Sequence, residues 1–411
     1  MKQTDVLVVG GGICGYTAAL AARRYYGGKK ITLVRKEVRA LIPWCLAFNC
    51  AKGTLYNNVL RDDRLYDERI ELVIDEVTAI DRQGKCVTTA FAEDIIYDKL
   101  ILATGSLPAT PFFKGADLQG VFALKKEFPY LENIRASLAS ARSLVIVGAG
   151  PAGIEFAEAC TTNRQLNVTM VELLPHCLAW AFDDEFCTLV EENLRQRGIN
   201  IITATGAEEL QGHKRVEQVK LTNGRVLPAD TVFLATGIVP NIELAREAGL
   251  ATHDHAGIVV DEYMRTSDVD IFAVGDCAAK GNLSGSVGAI ARRAIEGGRE
   301  ARVAAANLFA LKRTRETVLD KFAVAIGDHA FGAIGLFQNM NLEADRKMLT
   351  VDITPGVIAG NVTVKVAYAR ETGATIGAQV HGKPFGLVRE IMDRLADAIQ
   401  QQARFDELAL A

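Results

Sequence analysis

Short runs of aliphatic and β-branched residues recur along the chain, and two of them lead directly into glycine-rich turns. The first run covers residues 5–9 and the second covers residues 143–147. An apolar run of this length, bounded by turn residues, is typical of a strand that is buried on both faces of a parallel sheet. Helical periodicity follows each turn, over residues 16–26 and 154–160. The pattern therefore predicts two strand–turn–helix units.

The first turn has the G-x-G-x-x-G spacing. Gly10, Gly12 and Gly15 occupy its glycine positions, and Ile13 and Cys14 stand between the last two. In such a turn the first glycine permits the tight bend, and the second lets backbone N–H groups reach a pyrophosphate. The third glycine lets the helix and the strand pack closely. The turn predicts a dinucleotide site at the start of the chain.

The second turn has the same spacing and leads to a strand that ends in an acid. The turn residues are Gly148, Gly150, Pro151, Ala152 and Gly153. Residues 168–171 form the next predicted strand, which ends at Glu172. A carboxylate at this place binds ribose hydroxyls and would repel a 2′-phosphate. This unit is therefore predicted to prefer NAD(H) to NADP(H).

An Ala-Thr-Gly turn closes each unit at a similar distance from its glycine turn. These turns are Ala103, Thr104 and Gly105, and Ala235, Thr236 and Gly237. Such an internal repeat indicates two dinucleotide sites in one α/β chain. After residue 317 the pattern changes to predicted strands at 322–326, 347–353 and 361–369, with a helix at 387–403. A further helix, 288–311, carries Arg292, Arg293, Arg299 and Arg302.

Composition narrows the class of protein further. The 411 residues carry a net charge of −4, which disfavours nucleic acid as a partner, and no apolar run approaches the length of a bilayer span. The chain enters a strand at once with no signal peptide, and its eight cysteines show no metal-type spacing. A cytoplasmic protein with reduced thiols is expected.

Two positions after the first unit carry unusual residues. The predicted second strand, residues 30–34, is followed by Arg35 and Lys36, where a Rossmann site normally has an acid for the ribose. Cys45 and Cys50 then form a C-x-x-x-x-C pair. This spacing suits a redox pair or two small buried thiols, and the sequence leaves both interpretations open.

In its combination of motifs, the chain resembles the pyridine nucleotide–disulfide oxidoreductase family of flavoproteins. These motifs are the two glycine turns, the two Ala-Thr-Gly turns and the run from Thr266 to Asp276. The resemblance implies two Rossmann-like domains, with FAD bound by residues 1–113 and 245–318 and NAD(H) by residues 114–244. It also implies a C-terminal α+β interface domain at residues 319–411, which forms a homodimer or docks a different subunit.

The same resemblance assigns roles to individual residues. Asp276, after Gly275, contacts the ribityl chain of the flavin, and the turn at 103–105 lines the FAD site. Glu155 lies near the nicotinamide and pairs with a lysine beside the flavin, for which Lys52 is the candidate. Hydride transfer between the nicotinamide and the flavin follows, since the protein holds the two rings in line.

Three interpretations then remain for the second half-reaction, in which the flavin exchanges electrons with a reactant other than NAD(H). Cys45, with Cys50, has the spacing of the disulfide reductases, although no C-terminal His-Glu pair follows. Cys45 alone falls near the single cysteine of the coenzyme A-disulfide reductase and NADH oxidase group, so a small disulfide, a persulfide or oxygen is a candidate acceptor. In the third, an electron relay, FAD exchanges electrons with an iron–sulfur partner protein.

Under the relay interpretation, the chain resembles the flavin subunits of multi-subunit oxidoreductases, such as that of the tungsten aldehyde oxidoreductases. This interpretation ranks nearly level with the cysteine chemistry. It requires neither the C-terminal His-Glu pair of the disulfide reductases nor the aromatic C-terminal tail of the NADH oxidase group. A redox sensor without turnover is the non-enzymatic alternative. An iron–sulfur relay that exchanges electrons with NAD(H) is the leading prediction.

Overall fold

The computed structural model describes residues 1–109, 114–161, 165–279, 294–316, 319, 321–336, 356–358, 362–369 and 372–408. The strands are β1 (Lys2–Val9), β2 (Ile31–Arg35), β3 (Glu71–Ile74), β4 (Val77–Asp81), β5 (Cys86–Thr89), β6 (Ile95–Leu102), β7 (Ser106–Pro108), β8 (Val121–Ala123), β9 (Ser143–Val147), β10 (Asn167–Val171), β11 (Asn200–Ile202), β12 (Ala207–Gly212), β13 (Val216–Leu221), β14 (Val226–Pro228), β15 (Thr231–Leu234), β16 (Ile238–Pro240), β17 (Thr252–His253), β18 (Gly257–Ile258), β19 (Ile271–Ala273), β20 (Lys321–Ile326), β21 (His329–Gly335), β22 (Gly356–Ile358), β23 (Val362–Tyr368) and β24 (Thr375–Gly382).

The helices are α1 (Ile13–Tyr25), α2 (Leu46–Lys52), α3 (Asp63–Asp67), α4 (Phe128–Ser140), α5 (Pro151–Cys160), α6 (Asp184–Gln196), α7 (Glu243–Glu247), α8 (Ala294–Asn307) and α9 (Phe385–Gln400). Short 3₁₀ turns cover Leu55–Asn58, Gly275–Cys277 and Phe405–Glu407. Among the helices of the described residues, none combines the length and the apolar character that a bilayer crossing requires.

Two mainly parallel sheets carry the predicted units; the second is parallel throughout, and the first includes the antiparallel strands β4 and β5 beyond β6. The first has the order β3-β2-β1-β6-β5-β4, and β19 joins it beside β6, so a segment from after the second unit completes the first sheet. The second has the order β11-β10-β9-β15-β8. In each sheet the glycine turn follows a central strand, β1 or β9, and opens a helix at the carboxyl edge. The predicted α/β class, with two Rossmann-like units, is confirmed.

The last sheet along the chain, which we call the third sheet, is antiparallel and has the order β20-β21-β24-β23-β22. Helix α9 packs on it through Val388, Met392 and Leu395. The sequence pattern misses β21 and β24, because their glycines and alanines interrupt the expected β-branched alternation. The predicted strand 347–353 lies outside the described residues, as do Arg292 and Arg293. In α8 the side chain of Arg299 lies 3.4 Å from Glu296, and that of Arg302 donates to the carbonyl of Gly298.

Several element boundaries differ from the prediction for local reasons. The predicted strand 70–80 is two strands, because the Asp75 carboxylate accepts N–H groups from Glu76, Phe91 and Ala92 and turns the chain. The helix predicted from residue 154 begins three residues earlier, at Pro151, which is favoured at a first helical position.

A buried ion cluster joins the last sheet to α6. Lys365, on β23, lies 2.6 Å from a carboxylate oxygen of Asp183, and both residues are almost completely buried. Gln379, on β24, donates to the same carboxylate at 2.7 Å and accepts the Asp183 N–H at 3.0 Å. Because a buried charge is stable only when it is paired, this cluster fixes how the third sheet sits against α6.

Replacing Lys365 with Met should lower the free energy of unfolding by about 3 kcal/mol, because the Asp183 carboxylate would stay buried without its cation. Urea denaturation followed by fluorescence measures the change. Lys321→Met is the control, since Lys321 forms a more exposed pair with Asp393 and should cost less than about 1 kcal/mol. Equal losses in the two variants would contradict the role given to the cluster.

Candidate functional site

The first glycine turn lies against the Ala-Thr-Gly turn of the next strand. Gly10 has a φ of +103°, and a side chain there would overlap the carbonyl group of Ala103. A Cβ at Gly15 would overlap the carbonyl oxygen of Gly10. These two glycines are therefore required by the packing of the protein itself.

The middle glycine of the turn behaves differently. A Cβ built on Gly12 meets no atom within 4 Å, and the same holds for Gly105, whose φ is +73°. Gly12 immediately precedes α1, so the open space adjoins the N–H groups of a helix start. This cradle fits the pyrophosphate of a dinucleotide such as FAD, because it combines room, unblocked backbone donors and the positive end of the helix dipole.

The second turn also combines glycines that are required by packing with glycines that face open space. A Cβ at Gly148 would overlap the carbonyl oxygen of Ala235, and one at Gly153 would overlap that of Gly148. Positions Gly150 and Gly237 have nothing within 4 Å. Pro151 and Ala152 begin α5 beside this open space. The residues therefore fit a second dinucleotide, which matches the predicted NAD(H) site.

Glu172 follows β10 and reaches over the second turn. Its carboxylate accepts the N–H of Ala149 at 2.6 Å and the N–H of Leu174 at 2.9 Å. The acid is thus held at the strand end where Rossmann sites bind a ribose. Its preference for an unphosphorylated ribose stays a prediction.

Cys14 and Arg35, both predicted to contact the cofactor, pack inside the protein. The Cys14 sulfur lies where a side chain at Gly275 or Gly297 would stand, so Cys14 fills the space between α1 and α8. Arg35 is buried below Gly11, and its guanidinium donates to both carboxylate oxygens of Asp62 at 2.8 and 2.6 Å. Arg35 therefore holds the loop after β2 in place through Asp62, and its role at the first dinucleotide site stays a prediction.

Lys36 follows the end of β2 and is exposed, with its ammonium 3.9 Å from a carboxylate oxygen of Glu76, and its contact with the first dinucleotide stays a prediction. Ile13 is the first residue of α1.

Asp276 has two partners that the sequence pattern did not indicate. Its carboxylate accepts a hydrogen bond from Ser106 at 2.8 Å, and Lys126 lies 3.2 Å from the same oxygen. Lys126 also donates to Ser106 at 3.1 Å. Lys126 follows β8, the edge strand of the second sheet, so it brings a positive charge from the second unit to the predicted flavin aspartate. Only the tertiary structure reveals this contact, since the residues are far apart in sequence.

Glu155 lies on α5, one turn after the second glycine loop. Burial, and then the neighbouring charge of Glu158, raise the pKa of the Glu155 carboxyl to about 7. Glu158 in turn accepts the N–H of Gly327 at 2.7 Å and lies 3.4 Å from Arg197. The third sheet is therefore in contact with the helix that carries Glu155.

The two predicted redox cysteines have different surroundings, and both are free thiols. Cys45 precedes α2 with a left-handed φ of 47° and is half-buried. Burial and the charge of Glu155 raise its pKa, while a hydrogen bond with the Trp44 side chain acts in the opposite direction. Cys50 is buried inside α2, its thiol donates to the carbonyl of Leu131, and burial raises its pKa to about 12. The structure does not join them as a disulfide.

Lys52 ends α2, with its ammonium 5.6 Å from the centre of the Phe48 ring. Its charge lowers the pKa of Cys160, against a larger upward effect of burial. Lys52 is not among the causes of the Glu155 shift. The predicted Lys52–Glu155 pair therefore receives no support from this structure and stays a prediction.

The comparison with protein families agrees with this site. A family model described as pyridine nucleotide-disulphide oxidoreductase matches residues 4–306. The chain belongs to this family. It is an oxidoreductase that binds FAD and NAD(H), and the two glycine cradles fit these dinucleotides.

Similar proteins of the pyridine nucleotide-disulphide oxidoreductase family use different acceptors. The chain is 29% identical to an NADH oxidase of Methanocaldococcus jannaschii over 426 residues, covering 98% of this chain and 92% of that one. It is 31% identical to a rubredoxin-NAD(+) reductase of Pseudomonas putida, covering 68% and 73%. The solved NAD-dependent persulfide reductase from A. fulgidus matches with a TM-score of 0.89 and 29% identity, covering 99% and 79%. These relatives are named for different activities, so similarity alone does not identify the acceptor of this chain.

Gly12 and Gly150, the middle glycines of the two turns, allow a matched test of the two dinucleotide sites. Gly12→Ala should fold, since its φ of −67° suits alanine, yet its methyl group would fill the first cradle. We expect a protein that is purified without flavin. Gly150→Ala should stay yellow and show a KM for NADH that is raised roughly 10-fold, a loss of about 1.4 kcal/mol. Flavin content and steady-state kinetics measure both, and flavin loss in the second variant instead of the first would reverse the assignment.

Glu155 should make stability depend on pH. Its folded-state pKa of about 7 exceeds the ordinary 4.5, so its stabilising contribution is complete below pH 4.5 and is lost as the pH rises through 7. At pH 8, Glu155→Gln should therefore be more stable than the wild type by roughly 2–3 kcal/mol, and the difference should shrink towards pH 5. Thermal unfolding at both pH values measures it. Glu217→Gln, at an exposed carboxylate, should show no such pH dependence.

Proposed function

We propose that the protein is an electron relay, in which FAD exchanges electrons between NAD(H) and a separate iron–sulfur protein. The observation that carries the proposal is the environment of the two predicted redox thiols, Cys45 and Cys50, the second of which donates to the carbonyl of Leu131 inside α2. A redox-active cysteine works as a thiolate and needs a lowered pKa, usually from a neighbouring cation. Burial and Glu155 instead raise the pKa of Cys45, and burial raises that of Cys50 to about 12.

The relatives support a protein acceptor. The rubredoxin-NAD(+) reductase of Pseudomonas putida, at 31% identity, is named for one. The relay also agrees with eight free cysteines, which suit a reducing, cytoplasmic environment. In this proposal residues 1–113 and 245–318 hold FAD and residues 114–244 hold NAD(H). Residues 319–411 join a second copy or a different subunit.

A thiol-dependent function is the second candidate. Cys45 is half-exposed and directly precedes α2, which packs against α5, the helix of Glu155. This packing supports a position for Cys45 near the predicted nicotinamide site. The similarity of this chain to the persulfide reductase from A. fulgidus, over 99% of its length, favours the same interpretation. In that case the Cys45 thiolate would attack the sulfur–sulfur bond of a small disulfide or persulfide, form a mixed disulfide and release a thiolate or hydrosulfide. Two electrons from NADH, passed through the flavin, would then cleave the mixed disulfide, release the second thiol and restore Cys45.

Cys45→Ser separates the two functions. The relay predicts that the variant keeps, within about twofold, the NADH-dependent reduction of a rubredoxin or a ferredoxin, because the thiol takes no part. Anaerobic titration with dithionite should consume two electrons per flavin in both the wild type and the variant. Uptake of four electrons by the wild type and of two by the variant would contradict the relay and favour cysteine chemistry. Cys187→Ser, at a buried thiol on α6, is the matched control.

A further inference from the structure

Three large apolar side chains stand exposed on one short ribbon beside Cys45. Val38 is 75% exposed, Trp44 67% and Tyr56 64%. Single exposed apolar side chains are normal on a protein surface, whereas a group of them marks a contact site. We call the surface formed by Val38, Arg39, Trp44 and Tyr56 the aromatic–arginine surface.

The ribbon under this surface is held rigidly. Leu41 and Val59 form an antiparallel bridge, and Ile42 donates its N–H to the carbonyl of Asn58 at 2.7 Å. The side chain of Asn58 is buried and donates to the carbonyls of Ile42 and Trp44, both at 2.7 Å. The exposed aromatic residues are thus pre-organised, and little conformational entropy would be lost when a partner binds.

Arg39 adds a cation to the aromatic residues. Its guanidinium lies 4.8 Å from the ring centre of Phe128 and 5.6 Å from that of Tyr56. Within the described ranges no carboxylate forms an ion pair with Arg39. Tryptophan, tyrosine and arginine are the residues that most often dominate the binding energy of protein interfaces. Arg39 therefore presents a charge that a partner carboxylate could pair with.

The local charge indicates the sign of the partner. Residues 35–64 include six Lys or Arg and three Asp or Glu, a net charge of +3, although the whole chain carries −4. Arg135, which is exposed, lies next to Gly53 at the end of α2 and extends the positive region. Complementary charge steers the encounter of two proteins and disfavours partners of the same sign. An acidic partner is therefore favoured.

The surface adjoins the predicted reaction site directly. Cys45 directly follows Trp44, and α2, which begins at the next residue, packs against α5, the helix that carries Glu155. An acceptor docked on Trp44 would therefore lie a few side chains from the place where the flavin and the nicotinamide are expected to meet. Three exposed apolar side chains are also few for a permanent dimer, and they suit the small interfaces of transient electron-transfer complexes.

We propose that the aromatic–arginine surface docks an acidic redox protein, which receives or delivers the electrons of the flavin. The inference rests on the relay function proposed above and adds to it the place of docking and the charge of the partner. The apolar side chains supply short-range contact, and Arg39 and its basic neighbours orient the partner.

The test compares protein acceptors with a small neutral one. The probes are a rubredoxin and a [2Fe–2S] ferredoxin, both acidic, and menadione. Arg39→Glu and Tyr56→Ala should each lower kcat/KM for the protein acceptors roughly 10-fold, mainly through a higher KM, because they remove docking contacts. Menadione reduction by NADH should be unchanged. The difference between Arg39→Glu and the wild type should shrink as salt rises, since salt screens the charge.

Matched controls lie elsewhere on the surface. Phe91→Ala removes a 95% exposed aromatic residue and Arg225→Glu reverses an exposed charge, and neither should affect any acceptor. Sedimentation gives the oligomeric state, and flavin content and thermal unfolding verify that each variant is folded.

The outcomes separate the two proposals. If the wild type reduces menadione but neither protein, the relay function fails. If the wild type reduces the proteins and both surface variants do so equally well, the docking site is wrong while the relay stands. A wild-type dimer that Tyr56→Ala converts to a monomer would assign the surface to a second copy of this chain and overturn the proposal.

Discussion

The contact between each glycine turn and the Ala-Thr-Gly turn of the neighbouring strand is the constraint on which the rest of the structure depends. At Gly10 and Gly148 the backbone approaches Ala103 and Ala235 so closely that no side chain fits. This contact lets the helix begin directly above the sheet. The middle glycine of each turn, Gly12 or Gly150, then faces open space. The position of both cradles follows from this contact.

Electrostatics, more than sequence spacing, separates the possible half-reactions. Cys45 and Cys50 are spaced like a redox pair, yet the helix between them places one thiol towards Glu155 and the other against the carbonyl of Leu131. Both environments disfavour a thiolate, because burial raises the pKa of each thiol and Glu155 raises that of Cys45 further. At Cys50 the opposing effect of Arg135 is smaller than that of burial. The acceptor is then better sought outside the chain than in its own thiols.

The third sheet is tied into the site as well as to the domain beside it. The buried Lys365–Asp183 pair fixes it on α6, and the turn at Gly327 donates to Glu158, whose charge raises the pKa of Glu155. The third sheet therefore contacts the same carboxylate whose charge raises the pKa of Glu155.

The sequence by itself determined the two glycine turns, their parallel strands and the family, because these depend on local periodicity and on residues that are close in the chain. The tertiary structure decided the features that need distant residues. Among these are the Lys126–Asp276 contact, the burial of Arg35 on Asp62, the different surroundings of Cys45 and Cys50, and the glycine-containing strands β21 and β24. Burial and charge at each of these places arise from segments that only folding brings together, so no local pattern could predict them.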